Sequence, residues 1–305
     1  MNKLLKSFLL LLVPLSLVGQ VTPVTNQYVL NPVIINPAYS GTSGALSLAA
    51  FYRKQWIGID GSPETMTLAM DAPLLDAKIG VGFIITNDKI GVTKETKFSA
   101  AYAYRIRTRE GFLSFGLGAG LITTNTAWSN LVVLDPGDED YLIDSRVFVV
   151  PDFNFGAYYT YQNFFAGLSI PNLIGYKFDF DENKYALNFD MGQYYYLLNT
   201  GYIFNISPII KFYPSTLLTF SKGEKLIYDI NTHFILFDRL WIGSSYRNKR
   251  SVVVLVQFAI TNQLKIAHTY DIEFGKLGRY SNGSHEIMLR YEFRYKVNAL
   301  NPLVF

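Results

Sequence analysis

Cysteine is absent from the 305 residues. This excludes disulfides, thiolate metal sites and a lipid-modified cysteine, so any membrane attachment comes from the chain itself. Charge is scarce as well. Only 17% of residues are Asp, Glu, Lys or Arg, against about 25% in a typical soluble domain. The basic residues are scattered and the net charge is +3, which argues against nucleic acid as a partner. Histidine occurs only at His233, His268 and His285, at separations that do not suit zinc. After the first residues no apolar run reaches the ~18 residues of a membrane helix. Helical periodicity is also hard to find.

What is abundant is ring and strand. Aromatics make up 16% of the chain, with 22 Tyr and 23 Phe, and half of all residues are hydrophobic. Tyr and Phe favour strands, and Tyr and Trp favour the membrane–water interface. A hydrophobic chain without further membrane helices crosses a bilayer only as a closed barrel, because lipid leaves no backbone group solvated.

The first residues form a separate unit. Lys3 and Lys6 precede an apolar stretch, Phe8 to Val18, interrupted by Pro14 and followed by Gly19. Residues 1–19 therefore read as a secretory signal peptide, with Gln20 as the expected mature N-terminus. Residues 20–43 read as an N-terminal arm and residues 44–305 as an outer-membrane β-barrel.

Period-2 alternation recurs from Ala45 to Phe293. Phe98, Ala100, Tyr102, Tyr104 and Ile106 share one face, opposite Lys97, Ser99, Ala101, Ala103 and Arg105. Leu113, Phe115, Leu117, Ala119 and Leu121 oppose Ser114, Gly116, Gly118 and Gly120. In the last run Ile287, Leu289, Tyr291 and Phe293 oppose Glu286, Met288, Arg290 and Glu292. One face suits lipid and the other a wet or polar-packed lumen. Turn signals at Gly61-Ser62-Pro63, Asn87-Asp88-Lys89, Arg109-Glu110-Gly111, Ser221-Lys222-Gly223, Arg247-Asn248-Lys249 and Thr261-Asn262 separate the runs. The expectation is an all-β protein: a transmembrane antiparallel β-barrel of about fourteen strands, an even number as in bacterial barrels. The segment before it, with Asn31-Pro32 and Asn36-Pro37-Ala38-Tyr39-Ser40-Gly41, is an extended arm or plug, since proline cannot donate to a ladder.

Few residues suit chemistry. Asn231-Thr232-His233 puts two polar groups on one strand face, but nothing marks a serine and an oxyanion donor to go with them. His268 and Asp271 are three apart, so on a strand they point to opposite faces. The acidic loop Asp135 to Asp140 lacks the alternating ligand spacing of a calcium loop. Gly116-Leu117-Gly118-Ala119-Gly120 lies in a strand pattern and opens no helix, which argues against a dinucleotide site. No catalytic residue, cofactor or metal is expected. Arg53 and Gln55 share a strand face toward the lumen, with Trp56 facing the other way.

An ordered set of short motifs then stands out. It begins with Asn31-Pro32, Asn36-Pro37-Ala38-Tyr39-Ser40-Gly41 and Arg53-Lys54-Gln55-Trp56, followed by Pro63. It continues with Leu240-Trp241-Ile242-Gly243, with His268-Thr269-Tyr270-Asp271, and with Gly283-Ser284-His285-Glu286-Ile287. Together, over nearly all of the mature chain, they resemble the PorP/SprF family of the type IX secretion system. The tyrosine-rich family pattern stands here as the variant Ala267-His268-Thr269-Tyr270-Asp271. The resemblance implies an outer-membrane barrel without enzymatic activity that works beside periplasmic ring lipoproteins. It also implies that the barrel receives and holds the C-terminal domain of a secreted adhesin at the cell surface. Candidate partner-binding residues are Asn36, Pro37, Tyr39, Gly41, Arg53 and Gln55. Competing readings are an outer-membrane channel for small solutes, an outer-membrane hydrolase and a secreted β-sandwich.

Overall fold

The structure is a computed structural model and describes residues 25–75, 77–130, 144–179, 184–188, 194–222, 224–248 and 250–293. The signal-peptide stretch 1–19 and the acidic loop 135–140 lie outside the described residues.

Seventeen strands are described. They are β1 (Leu46–Lys54), β2 (Glu64–Leu74), β3 (Ile79–Ile90), β4 (Thr93–Arg107), β5 (Phe112–Thr126), β6 (Phe148–Tyr161), β7 (Phe164–Ile170), β8 (Gly175–Asp179), β9 (Lys184–Asn188), β10 (Tyr196–Tyr202), β11 (Phe204–Ser207), β12 (Ile210–Phe220), β13 (Ile227–Leu236), β14 (Leu240–Arg247), β15 (Ser251–Ala259), β16 (Leu264–Glu273) and β17 (Ser284–Phe293). β8 and β9 form a hairpin of their own. The other fifteen make one antiparallel sheet in which β1 pairs with β17, and β10, paired with both β7 and β12, closes the ring. β10 and β11 flank Ile203 and both pair with β12, so the sheet is a closed barrel of fourteen strand positions.

Closure follows from the alternation. In β4 the exposed residues are Phe98, Ala100, Tyr102, Tyr104 and Ile106, while Ser99, Ala103 and Arg105 are buried. β5 exposes Phe115, Leu117, Ala119 and Leu121 and buries Ser114, Gly116 and Gly118. β17 buries Glu286, Met288, Arg290 and Glu292 and exposes Ile287, Leu289 and Phe293. Each strand thus carries an apolar outer face, and the outer belt is the surface lipid covers. No helix is long and apolar enough to cross a membrane among the described residues.

The connections differ at the two ends. One end has short turns at 108–111, 162–163, 208–209, 237–239 and 260–263, and it also holds the start of β1 and the end of β17. The other carries the longer connections 55–63, 127–147, 171–195 and 274–283. Asn87-Asp88-Lys89, read as a turn, lies inside β3; the chain reverses at Gly91 and Val92 instead. Cross-strand side-chain bonds hold this polar stretch in the ladder. Thr65 Oγ1 donates to Asp88, and Asn87 Nδ2 donates to Thr96 Oγ1 at 2.8 Å. Trp56 has left the strand: it takes a left-handed φ of 50° in the turn after β1, where its N–H donates to Ser284 Oγ at 3.1 Å.

The lumen is not merely polar. It holds the molecule's apolar core, in which Tyr28, Val29, Leu30, Val33, Ile35, Ala38 and Tyr39 pack against Phe51, Tyr158, Phe165, Leu217, Ile235, Trp241, Leu255 and Met288. The first seven belong to the segment before β1. That segment is a plug of three one-turn 3-10 helices, Asn26–Val29, Pro32–Ile34 and Pro37–Tyr39, rather than an extended arm. Proline at the first helical position of the second and third turns explains the form, because its missing N–H is unpaired there anyway.

Candidate functional site

The candidate site is the interface between this plug and the barrel wall. The plug begins toward the long-loop end. Thr25 donates to Glu286, the third residue of β17, and the Asn26 N–H donates to the same carboxylate at 3.0 Å. Asn26 Nδ2 donates to Asp271 at 3.3 Å, and Gln27 Nε2 donates to the Glu286 carbonyl at 3.0 Å. Arg53 stands 3.7 Å from Asp271 and 3.8 Å from Glu286. Its positive charge offsets two carboxylates that burial would otherwise leave costly.

Beside this latch lies a second charged pair. Arg247 of β14 binds Asp229 of β13 in a fork, with N–O distances of 2.9, 3.1 and 2.8 Å. Planar guanidinium on carboxylate is the geometry that makes such a pair strong. Tyr28 joins it, donating to Asp229 at 3.4 Å and accepting from Asn231 Nδ2 at 2.8 Å. Arg290 in turn donates to Ser47 Oγ at 3.0 Å and to the Leu30 carbonyl at 2.9 Å.

The plug then descends along β5, β6 and β7. Asn36 Nδ2 donates to the carbonyls of Ala157 and Leu168, at 3.1 and 3.3 Å, while its Oδ1 accepts from the Ala38 N–H at 3.0 Å. Ser169 Oγ donates to the Ile35 carbonyl at 2.6 Å. Here the wall is made of glycine so that backbone can meet backbone. A Cβ at Gly116 would enter the backbone of Pro37 and Ala38, and one at Gly156 would enter the Asn36 side chain. At the short-turn end Arg105 donates to the Ala77 carbonyl at 2.6 Å and to the Ser40 carbonyl at 3.4 Å. The Gly41 N–H donates to Asp71 at 2.9 Å. Gly41 has φ of +70°, and a Cβ there would lie 2.8 Å from the Ala72 carbonyl oxygen, so glycine is required for the turn into β1.

The six residues singled out from the sequence are all buried, and they divide between the two ends of the plug. Asn36, Pro37, Tyr39 and Gly41 seat its lower half. Tyr39 packs edge-on against Tyr158 with ring centroids 5.3 Å apart. Arg53 is part of the upper latch. Gln55 stands just above it, its N–H donating to the Pro63 carbonyl at 2.9 Å and its Nε2 reaching Glu273 at 3.5 Å. Sequence reasoning placed Glu286, Arg290 and Arg105 on the lumen side. It missed that their partner is the plug, assigned Asp229 and Asp271 no ion-pair partner, and missed Asp71 altogether. A charged residue on the inner face of a strand was the available signal.

The other candidates do not assemble. His233 lies against the Tyr213 ring at 5.8 Å, and no hydrogen bond joins it to a serine among the described residues. His268 is exposed and Asp271 is buried in the lumen, on opposite faces as the alternation requires. No group of three or more His, Cys, Asp or Glu is placed to hold a metal among the described residues. Above the barrel, loop side chains order the outer connections. Ser129 donates to Asp144 from its N–H at 3.0 Å and from its hydroxyl at 2.7 Å, which holds the Asp144 carboxyl below the usual range.

Comparison with known proteins agrees with this architecture. The outer membrane protein Omp33 of Acinetobacter baumannii is 10% identical, with a TM-score of 0.50 over 82% of this chain and 98% of that one. The toluene transporter TbuX of Ralstonia pickettii is 11% identical, with a TM-score of 0.50 over 87% and 93%. The CymD monoaromatic hydrocarbon channel is 10% identical, with a TM-score of 0.51 over 91% and 95%. At such identities the likeness is one of fold. No curated protein matches the chain. The family described as Type IX secretion system membrane protein PorP/SprF matches residues 18–291, nearly the whole chain. The chain therefore belongs to the PorP/SprF family and is an outer-membrane β-barrel of the type IX secretion system.

Proposed function

We propose that this barrel binds a secreted surface protein, through the C-terminal domain of an adhesin, and anchors it at the cell surface. The observation that supports this reading is the plug packed in the lumen. The chain's own residues 25–43 fill it with an apolar core and bond to the wall from Glu286 down to Asp71. A conduit for solutes needs an open path, whereas a holder needs a rigid platform and accessible loops. In bacterial barrels the longer loops face outward. The outward platform is then the set of connections 55–63, 127–147, 171–195 and 274–283. Arg53 and Gln55 support its floor, and Asn36, Pro37, Tyr39 and Gly41 keep the plug seated beneath it. The short-turn end is left for the periplasmic ring lipoproteins of the machinery.

The solute-channel alternative requires the plug to leave. Cells expressing chains that lack either 171–195 or 25–43 distinguish the two readings. Loss of the surface protein from cells with the loop deletion supports anchoring. Full retention with both deletions contradicts it. A residual hydrolase reading is tested by replacing His233 and assaying lipid and peptide cleavage.

A further inference from the structure

We infer that His268 and His285 form a chelating pair for a transition-metal ion on the outer surface of the barrel, near its outward rim. The two residues are 17 apart in sequence, on neighbouring strands. β16 and β17 pair His268 with Ile287 and Tyr270 with His285, so the two histidines are diagonal neighbours on one face. That face is the outer one: His268 is exposed and His285 half-buried. His285 is the second residue of β17, where the chain comes down from the outward connection 274–283.

Their ring nitrogens face each other, His268 Nε2 to His285 Nδ1 at 2.9 Å, with ring centroids 5.2 Å apart. At that distance the two nitrogens share one proton in an N–H···N hydrogen bond, and a cation that displaces this proton meets two lone pairs. This favours a cation over an anion as the ligand. Two imidazoles in cis positions on an ion, each ~2.0–2.1 Å from it at a right angle, stand about 2.9 Å apart. The pair thus already has the spacing of an edge of a tetragonal site, which suits Cu²⁺ or Ni²⁺. A tetrahedral ion such as Zn²⁺ would need about 3.3 Å at the same bond length.

The pair is also held. Tyr270 packs on His285 at 4.8 Å, and its hydroxyl donates to the Asn282 carbonyl at 3.0 Å. That contact ties the His285 ring to the outward loop and fixes its orientation, as outer partners do for metal-bound histidine. Lys54 is opposite His285 in register, and its charge is taken up by Glu64 at 2.7 Å.

The test uses the full mature chain without an affinity tag, in detergent micelles, titrated with Cu²⁺. The sequence helps, because its three histidines leave only the buried His233 besides this pair, and there is no cysteine. Paramagnetic resonance of the wild type is expected to show one copper per chain with two imidazole nitrogens. His268→Ala and His285→Ala are each expected to lower the affinity by about tenfold or more. Heat-modifiable gel migration confirms that each variant remains a barrel. A wild-type spectrum without imidazole nitrogens, or unchanged copper binding in a folded H268A/H285A double variant, overturns the inference.

Discussion

At the scale of single residues, the wall is glycine where the backbone of residues 36–41 meets it and paired charge where the plug is latched. Gly116→Val is therefore expected to be incompatible with the seated plug, since even a Cβ enters the backbone of Pro37 and Ala38. Overpacking of this kind costs about 1–3 kcal/mol. Urea unfolding in detergent should show that loss, whereas Ala119→Val on the outer face of the same strand should be nearly neutral. The Asp229–Arg247 pair makes a second prediction. Arg247→Met alone leaves a buried carboxylate unmatched and should destabilise by about 3–5 kcal/mol. The double variant Asp229→Leu/Arg247→Met should lose less than the single one. A double variant as damaged as the single would show that the pair is not the unit. On the outer face Leu117 is 62% exposed to lipid. Leu117→Arg should cost up to about 2–4 kcal/mol in liposome unfolding, depending on depth.

At the scale of elements, the strands were legible and the plug's seat was not. A strand in lipid has a clean binary pattern, so β4, β5 and β17 could be read face by face. Asn87-Asp88-Lys89 misled because its polar residues find partners across the strand, Thr65 and Thr96, instead of making a turn. The plug's proline-rich sequence excluded a strand and announced little else. Its position depends on contacts over 200 residues away, such as Asn26 with Glu286 and Tyr28 with Asp229. No local pattern carries such information. The same holds for Gly116, which read as strand packing and makes room for Pro37 and Ala38, whereas Gly118 and Gly120 of the same run do pack within the wall, against Asn154 and Phe98. One expectation follows for the plug itself. Asn36→Leu removes two bonds to the wall, to Ala157 and Leu168. Proteinase K followed by mass spectrometry should leave residues 25–43 intact in the wild type and cut them in the variant. Equal protection in both would mean that the apolar contacts alone hold the plug.

At the scale of the whole molecule, fold and function separate. The likeness to Omp33, TbuX and CymD concerns the barrel alone; in this chain the plug builds a core inside it. A hydrophobic core in the lumen makes the barrel a solid body with loops on one end and short turns on the other. Such a body suits holding a partner between the cell surface and the periplasmic machinery better than passing a solute. The most direct measurement is single-channel conductance in planar bilayers, comparing the wild type with a chain lacking residues 25–43. A closed wild type and a conducting deletion variant are predicted. Steady conductance of the wild type at the level of the deletion variant would contradict the sealed lumen, and with it the account of this barrel as a holder.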